Sequence, residues 1–522
     1  MLKKIIVFTT ILSCVLSTYG LQLLFAKDFE FYNGRVSVGL WGDEFLSFRK
    51  AKHPEQQYQY SQALTFWRHR GQMDITTKWY ECGDTIINSY TWFQYYYESA
   101  PDFNDKIHNS MSARQRYTKY QAPFYNRDDI IHEAYLDINK GSLSVRVGKQ
   151  KVIWGEMELQ RTTDIVNPLD LRYSSPGVDD LDELKIGLWM IRMLYQSKLP
   201  GDLLFEFLFN PGDYQLLRQG VQGSDRGSPA VPNEPLGGMG ITGAIQKLQY
   251  KTEPRFSLHN FAIGGRLRGL LRTKIAGRDY DWLWTLQYYT SPDQNSQVVV
   301  NDEAYRAWAA EYSAKRVDGI DQGVWPKEKL YDARRYHMLG LGLQTFDPIL
   351  TNAVIIGEFA YFKDLSFSST VPPGTSTLGP TERDLFTYGL SVRRPYKTAF
   401  FKKIDHNARG YTDVDLSIYQ GWILGSDIAN VKRTFSYGNR SETTFTMQLM
   451  TSFRNQEFTP VIRALYNTRN WGYVSTSVTY SITSNWKTTV GYTENFARNE
   501  TNDGVAAAYH KDRIYWKVEW QF

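Results

Sequence analysis

The sequence predicts an all-β chain folded as a transmembrane antiparallel β-barrel of about 16–18 strands, with short periplasmic turns and long extracellular loops. Three observations carry this. Segments alternating apolar and polar residues recur from end to end, many about ten residues long, the length with which a tilted strand crosses a bilayer. The connections between them alternate short and long, which a soluble sandwich or β-helix has no reason to do. The chain closes on "DRIYWKVEWQF", where Ile514, Trp516, Val518, Trp520 and Phe522 share one parity and Arg513, Tyr515, Lys517, Glu519 and Gln521 the other. Successive strand side chains point to opposite faces, so this segment has one apolar and one polar face. In a membrane barrel the first meets lipid and the second a wet lumen.

Taken in order, residues 1–26 read as a secretory signal: Lys3 and Lys4 precede an apolar run from Ile5 to Leu16, with cleavage after Ala26 or Gly20. Cys14 suggests a lipoprotein site only weakly, since acylation there would leave an apolar mature start, "VLSTYGLQLLFA". Residues 27–522 form a single barrel domain, with no linker of shifted composition and no internal repeat of fixed period. Strands are expected at 31–41, 63–80, 86–98, 130–138, 142–150, 187–196, 202–209, 258–268, 280–289, 336–346, 354–364, 384–393, 412–420, 442–452, 460–467, 471–482, 486–496 and 512–522. Short turns fall at 81–85, 139–141, 197–201, 347–352, 454–458 and 483–485, and the longest loops at 99–129, 151–186, 210–257 and 290–335. Two connections break the alternation, the short 468–470 and the longer 394–411.

Composition narrows the class further. The 522 residues carry a formal charge of +5 with both signs mixed along the chain, so nothing marks a nucleic-acid partner. Aromatics make up 15%, and Tyr, with 36 residues, is the commonest, as suits rings half in apolar surroundings and half in water. Outside the signal no apolar run reaches about 18 residues, and "IGLWMIRMLY" is broken by Arg192, which excludes a helical membrane protein. The mature chain keeps only Cys82, so an exported protein of this size must draw its stability from something other than a disulfide. A closed hydrogen-bonded barrel supplies it.

Parity also picks out candidate functional residues. In "LSVRVGKQ", Leu143, Val145 and Val147 face one way and Ser144, Arg146, Gly148 and Gln150 the other, so Arg146 and Gln150 are expected in the lumen with Arg513, Lys517 and Glu519. The chain then runs through Trp154, Glu156, Glu158, Arg161, Asp164, Asn167, Asp170 and Arg172. Such a loop either folds back to narrow the pore and select by charge, or solvates an outer surface around an Asn-Pro turn. "GMGITG", Gly238 to Gly243, matches a dinucleotide pattern but follows a loop where that motif needs a buried strand. Residues 302–319 place Tyr305, Trp308, Ala309 and Tyr312 at helical spacing, the mark of a short amphipathic helix within a loop. The eight histidines show no ligand spacing, His132 falls within an expected strand, and G-x-S-x-G is absent. The expectation is therefore no enzyme and no cofactor or metal.

The stretch "VGKQKVIWGEMELQRTTDIVNPLDLR", Val147 to Arg172, resembles a family of outer-membrane proteins known only as a domain of unknown function. There a Gly-Arg/Lys-Gln strand end is followed by Trp-Gly-Glu and an Asn-Pro-x-Asp turn; here these are Gly148-Lys149-Gln150, Trp154-Gly155-Glu156 and Asn167-Pro168-Leu169-Asp170. The resemblance implies a periplasmic lipoprotein-carrier-like protein or an RND-type exporter as partner, and traffic of apolar molecules. The last strand resembles the carboxy-terminal assembly signal of Gram-negative outer-membrane barrels, with Trp520 and Phe522 read by the barrel-assembly machinery and outer-membrane lipid around the barrel. The function expected is a channel or transporter moving a small or hydrophobic substrate through a loop-constricted lumen; a surface adhesin or scaffold barrel with a sealed lumen is the rival.

Overall fold

A computed structural model describes residues 29–31, 34–49, 64–99, 130–157, 160–170, 181–215, 256–294, 307, 334–349, 351–370, 378–425, 431–433, 436–437, 440–468, 471–497 and 512–522. Eighteen strands form the wall. They are β1 (Gly34–Arg49), β2 (Leu64–Cys82), β3 (Thr85–Ser99), β4 (Ile131–Lys140), β5 (Leu143–Gln150), β6 (Leu188–Gln196), β7 (Leu204–Asn210), β8 (Ala262–Ile275) and β9 (Arg278–Pro292). The second half comprises β10 (Arg335–Asp347), β11 (Ala353–Thr370), β12 (Leu378–Lys397), β13 (Tyr411–Ile423), β14 (Ser441–Met450), β15 (Phe458–Asn467), β16 (Trp471–Ser481), β17 (Trp486–Ala497) and β18 (Arg513–Gln521).

Each strand pairs antiparallel with its neighbours in sequence, and β18 returns to pair with β1, from Trp41 opposite Gln521 to Arg49 opposite Arg513. Phe522 extends this seam: its N–H donates to Leu40 O at 2.7 Å and its carbonyl accepts from Leu40 N at 2.9 Å. The sheet is a closed barrel, so no strand of the wall presents an unpaired edge. Every segment expected from the alternation coincides with one of these strands. Several strands run on past the expected bounds, because a tilted strand continues its ladder beyond the stretch whose side chains alternate cleanly. Where 258–268 was expected, a 3₁₀ turn at Leu258–Asn260 precedes β8.

The two faces follow the parity of the sequence. Along β18 Arg513 and Tyr515 are buried toward the interior while Ile514 between them is 50% exposed on the outside. Outward columns elsewhere are equally apolar, as with Leu339, Leu341 and Leu343 on β10. The rims differ as the loop lengths require. At one rim two-residue turns such as 83–84 and 276–277 join the strands; at the other the described strands are separated by 151–187, 211–261 and 293–334. Residues 398–410 are the long exception at the short-turn rim and contain the 3₁₀ turn Ala399–Lys403. Apart from residue 307, the segment 302–319 lies outside the described residues, as do the Gly238–Gly243 glycines and nearly all of the 99–129 loop.

An expected outcome follows from the parity. Val490, on β17, is 54% exposed on the outer face, and Val490→Arg should lower unfolding free energy in phospholipid vesicles by about 2–4 kcal/mol. Thr489→Arg, one residue away but turned inward, should cost far less; equal urea midpoints for the two variants would overturn the assignment of faces.

Candidate functional site

The connection from β5 to β6 turns into the barrel instead of away from it. Its described parts contact inward-facing side chains of β2, β7, β8, β11 and β12. Backbone N–H groups carried into an enclosed space need acceptors, and an unsatisfied one costs about 1–3 kcal/mol. Glu358, midway along β11 and 1% exposed, supplies them. One of its carboxylate oxygens accepts from the backbone N–H of Glu156 and, at 3.1 Å, of Met157; the other accepts from Thr163 N at 3.3 Å and Thr163 Oγ1 at 2.8 Å. A single carboxylate therefore grips both sides of the loop tip.

Apolar packing holds the near side. Val152, Trp154 and Val166 of the loop join inward residues of the wall, among them Met190, Leu208, Tyr289, Met338 and Phe362, in one core inside the barrel. The Trp154 ring meets Tyr289 edge-on at 5.9 Å, and its Nε1 donates to Glu206 Oε1 at 3.0 Å. Glu206 is itself buried and accepts from Arg192 at 2.7 Å and Arg266 at 2.9 Å, so its charge is paired where an isolated one would be prohibitive. The wall is cut away to admit the loop. A Cβ at Gly264 would stand 2.7 Å from the Trp154 ring, and one at Gly389 would stand 2.6 Å from Thr162 Oγ1 and collide with Met157.

Asn167 fastens the loop's two ends. Its Nδ2 donates to Gln150 O at 3.2 Å and Ile186 O at 2.7 Å, while its Oδ1 accepts from Val152 N at 2.8 Å. Asp164 accepts from Trp154 N at 3.2 Å and pairs with Lys185 at 2.5 Å, and Arg161 donates to Asn167 O at 2.7 Å. Asp170 N donates to Leu184 O at 2.7 Å, beside the bridge between Leu169 and Lys185. The far leg reaches β2, where Arg70 donates to Glu183 at 2.9 Å and to Asp43 at 2.5 Å, its guanidinium 4.2 Å from the Trp41 ring centroid. Burial works against the Glu183 charge, but Arg70 and Lys517 together hold the carboxyl below its ordinary range. Lys151 goes the other way: burial lowers it despite Glu133, Glu183 and Asp182 nearby.

The residues singled out from sequence thus fall into two groups. Trp154, Arg161, Asp164, Asn167 and Asp170 meet mainly their own loop and its seat. Glu156 pairs with a wall guanidinium, Arg268 at 3.2 Å, and its carbonyl accepts from Arg393 at 3.2 Å, while Glu158 lies outside the described residues. Arg393 in turn pairs with Asp415 on β13 at 2.8 Å. On the wall, Arg146 pairs with Asp137 at 2.6 Å and Gln150 Nε2 donates to Met190 O at 3.0 Å. Arg513 is buried, and Lys517 lies 2.7 Å from Glu519 and 3.8 Å from Asp43. Trp520 and Phe522 sit at the short-turn rim, their rings 5.8 Å apart. His132 packs its ring on Trp92 at 4.4 Å. Arg172 lies outside the described residues.

Sequence reasoning missed Glu358, Glu206, Gly264 and Gly389. A usable signal was present: "LFEFLF" and "VIIGEFAYF" are apolar on both parities except for one glutamate each. A barrel strand greasy on its inner face needs something to cover that face.

Residues 32–202 match the family described as "Protein of unknown function (DUF1302)", to which this part of the chain is similar. No curated protein matches the sequence. Among solved structures the chain is similar to Salmonella typhi OmpF in complex with daunomycin, at 9% identity and a TM-score of 0.41, covering 95% of this chain and 100% of that one. It is also similar to Pseudomonas aeruginosa OpdL (11% identity, TM-score 0.44, 93% of this chain and 98% of that one). A third is Pseudomonas aeruginosa OpdK with vanillate, at 9% identity and a TM-score of 0.43, with the same two coverages.

Glu358→Ala removes four hydrogen bonds from the loop tip but none from the barrel ladder. The variant should fold with ordinary heat-modifiable mobility yet become cleavable between 155 and 165 by added protease, at least about tenfold faster than the parent, since a loss of about 1.4 kcal/mol is tenfold in opening. Unchanged cleavage would mean that the carboxylate does not hold the loop.

Proposed function

We propose that this chain is an outer-membrane channel of a Gram-negative bacterium through which small polar or charged solutes pass beside the fixed loop. The observation that carries this reading is the chemistry of the interior. Its apolar surface is spent on seating the loop, while the partly exposed inward groups are charged: Glu156, Arg268, Arg393, Arg146 and Asp137. The opposite wall, from β14 to β17, is polar as well, with Thr444, Thr446, Ser475, Thr489 and Thr493 turned inward and buried. A path past those charged groups lets a solute exchange water for protein hydrogen bonds, whereas an apolar molecule would meet desolvation without compensation. Glu156, Arg268 and Arg393 bridge loop and wall, and we assign charge selection to them. No energy-coupling motif lies in the chain, so directional movement requires a periplasmic partner such as a carrier or exporter.

Planar bilayers test the channel directly: discrete current steps are expected, and their absence would favour a sealed scaffold or adhesin. Liposome swelling with small sugars should be fast, and uptake of a lipid probe in its place would reverse the substrate reading. Glu156→Gln should shift ion selectivity toward anions by about fivefold, since one charge within about 4 Å in water is worth about 1 kcal/mol; an unmoved reversal potential would remove Glu156 from the selecting group.

The carboxy-terminal strand is proposed to be what the barrel-assembly machinery reads. Deleting Phe522 should leave most of the chain unfolded in the periplasm, and normal membrane yield of heat-modifiable protein would contradict it.

A further inference from the structure

The 398–410 turn is the longest described connection at the short-turn rim and does no work in the lumen. Its 3₁₀ segment Ala399–Lys403 is tied down by Phe401 N to Thr398 O at 2.9 Å and Ile404 N to Phe401 O at 3.0 Å. The neighbouring turn docks onto it: Arg454 N donates to Asp405 Oδ2 at 2.6 Å and Arg409 N to Ser452 O at 2.8 Å. From this base a chain of rings runs outward. Phe400 lies 4.2 Å from Phe401, Phe401 5.2 Å from Phe453, and Phe453 6.4 Å from Phe458. Phe458 heads the outward column of β15, followed by Ile462 and Tyr466.

The turn is therefore continuous with the apolar outer face, yet Phe400 is 56% and Ile404 75% exposed, more than a turn of its size would leave bare in water. Charge distinguishes it from the remainder of that face. Between 397 and 411 the chain carries Lys397, Lys402, Lys403 and Arg409 against the single carboxylate of Asp405. Asp405 is engaged by Arg454 N and Asn407 N, and Arg409 pairs with Asp413 at 2.5 Å, which leaves the lysines as the turn's outlying charge. Apolar rings flanked by lysines suit the boundary between acyl chains and anionic headgroups.

We propose that this turn is a binding site for an anionic phospholipid of the adjoining leaflet, with Phe400 and Ile404 among the acyl chains and Lys402 and Lys403 on the headgroup phosphate. The proposal rests on the reading that the outer face meets lipid, and it does not depend on conduction. The full-length barrel would be equilibrated with equal amounts of phosphatidylglycerol and phosphatidylethanolamine, and the lipids it retains weighed by native mass spectrometry. The parent should retain phosphatidylglycerol in preference. Lys402→Gln with Lys403→Gln should cut that preference by about fivefold or more, since each cation near an anionic surface is worth about 1 kcal/mol. Phe400→Ser with Ile404→Ser should lower retention of both lipids. Heat-modifiable mobility of each variant shows that the barrel itself has folded. An unchanged lipid ratio in the folded lysine variant overturns the site alone. A parent barrel that stays soluble without detergent and retains no phospholipid would sink the membrane reading itself.

Discussion

Everything in this molecule depends on the backbone ladder closing on itself between β18 and β1. Closure satisfies the peptide groups of the wall without side-chain help, and it divides every strand into two faces with unrelated obligations. The outer face is free to be uniformly apolar, and the inner face is free to carry charge. In a soluble sheet the same alternation would have to be reconciled with a second layer; here one layer suffices.

Closure also creates an interior that must be filled or left wet, and its sides are built differently in this chain. Against β6 to β11 the loop and wall build an apolar core, and two carboxylates within it are met by donors: Glu206 by two guanidiniums and an indole, Glu358 by three backbone amides and a hydroxyl. Such burial is expensive unless every lone pair is met, so these carboxylates specify one loop position more than they add net stability. On the other side the described inward groups include the buried hydroxyls of β14 to β17 and, toward β1 and β2, Asp43 held among Arg68, Arg70 and Lys517. The interior thus differs from side to side: one part fixes the loop, and the other is lined by polar side chains of the wall.

The barrel was legible because strand period is a local property. Parity along "RIYWKVEWQF" or "LSVRVGKQ" needs no knowledge of what lies opposite. The register of closure and the loop's seat were not legible, because they join residues some two hundred positions apart, such as Glu156 and Glu358. The loop's own charges stand out in the sequence, yet Asp164 and Arg161 mostly shape the loop, while Glu156 and Glu183 reach arginines of the wall. A charge in a loop announces polarity without saying whether its partner is near or far in the chain. The lone glutamates in doubly apolar strands were the better clue, since a buried carboxylate among Ile, Phe and Ala has to be answered by donors from elsewhere.

The glycines beneath Trp154 and Met157 have a consequence for how such a barrel can change. Gly264 and Gly389 are hollows shaped to particular residues of the insert, so insert and hollow form a lock that neither half can alter alone. Transplanted onto another barrel, the segment would find side chains where it needs vacancies and would be pushed toward the axis. New interior shapes in this architecture should therefore arise by coordinated replacement of both halves.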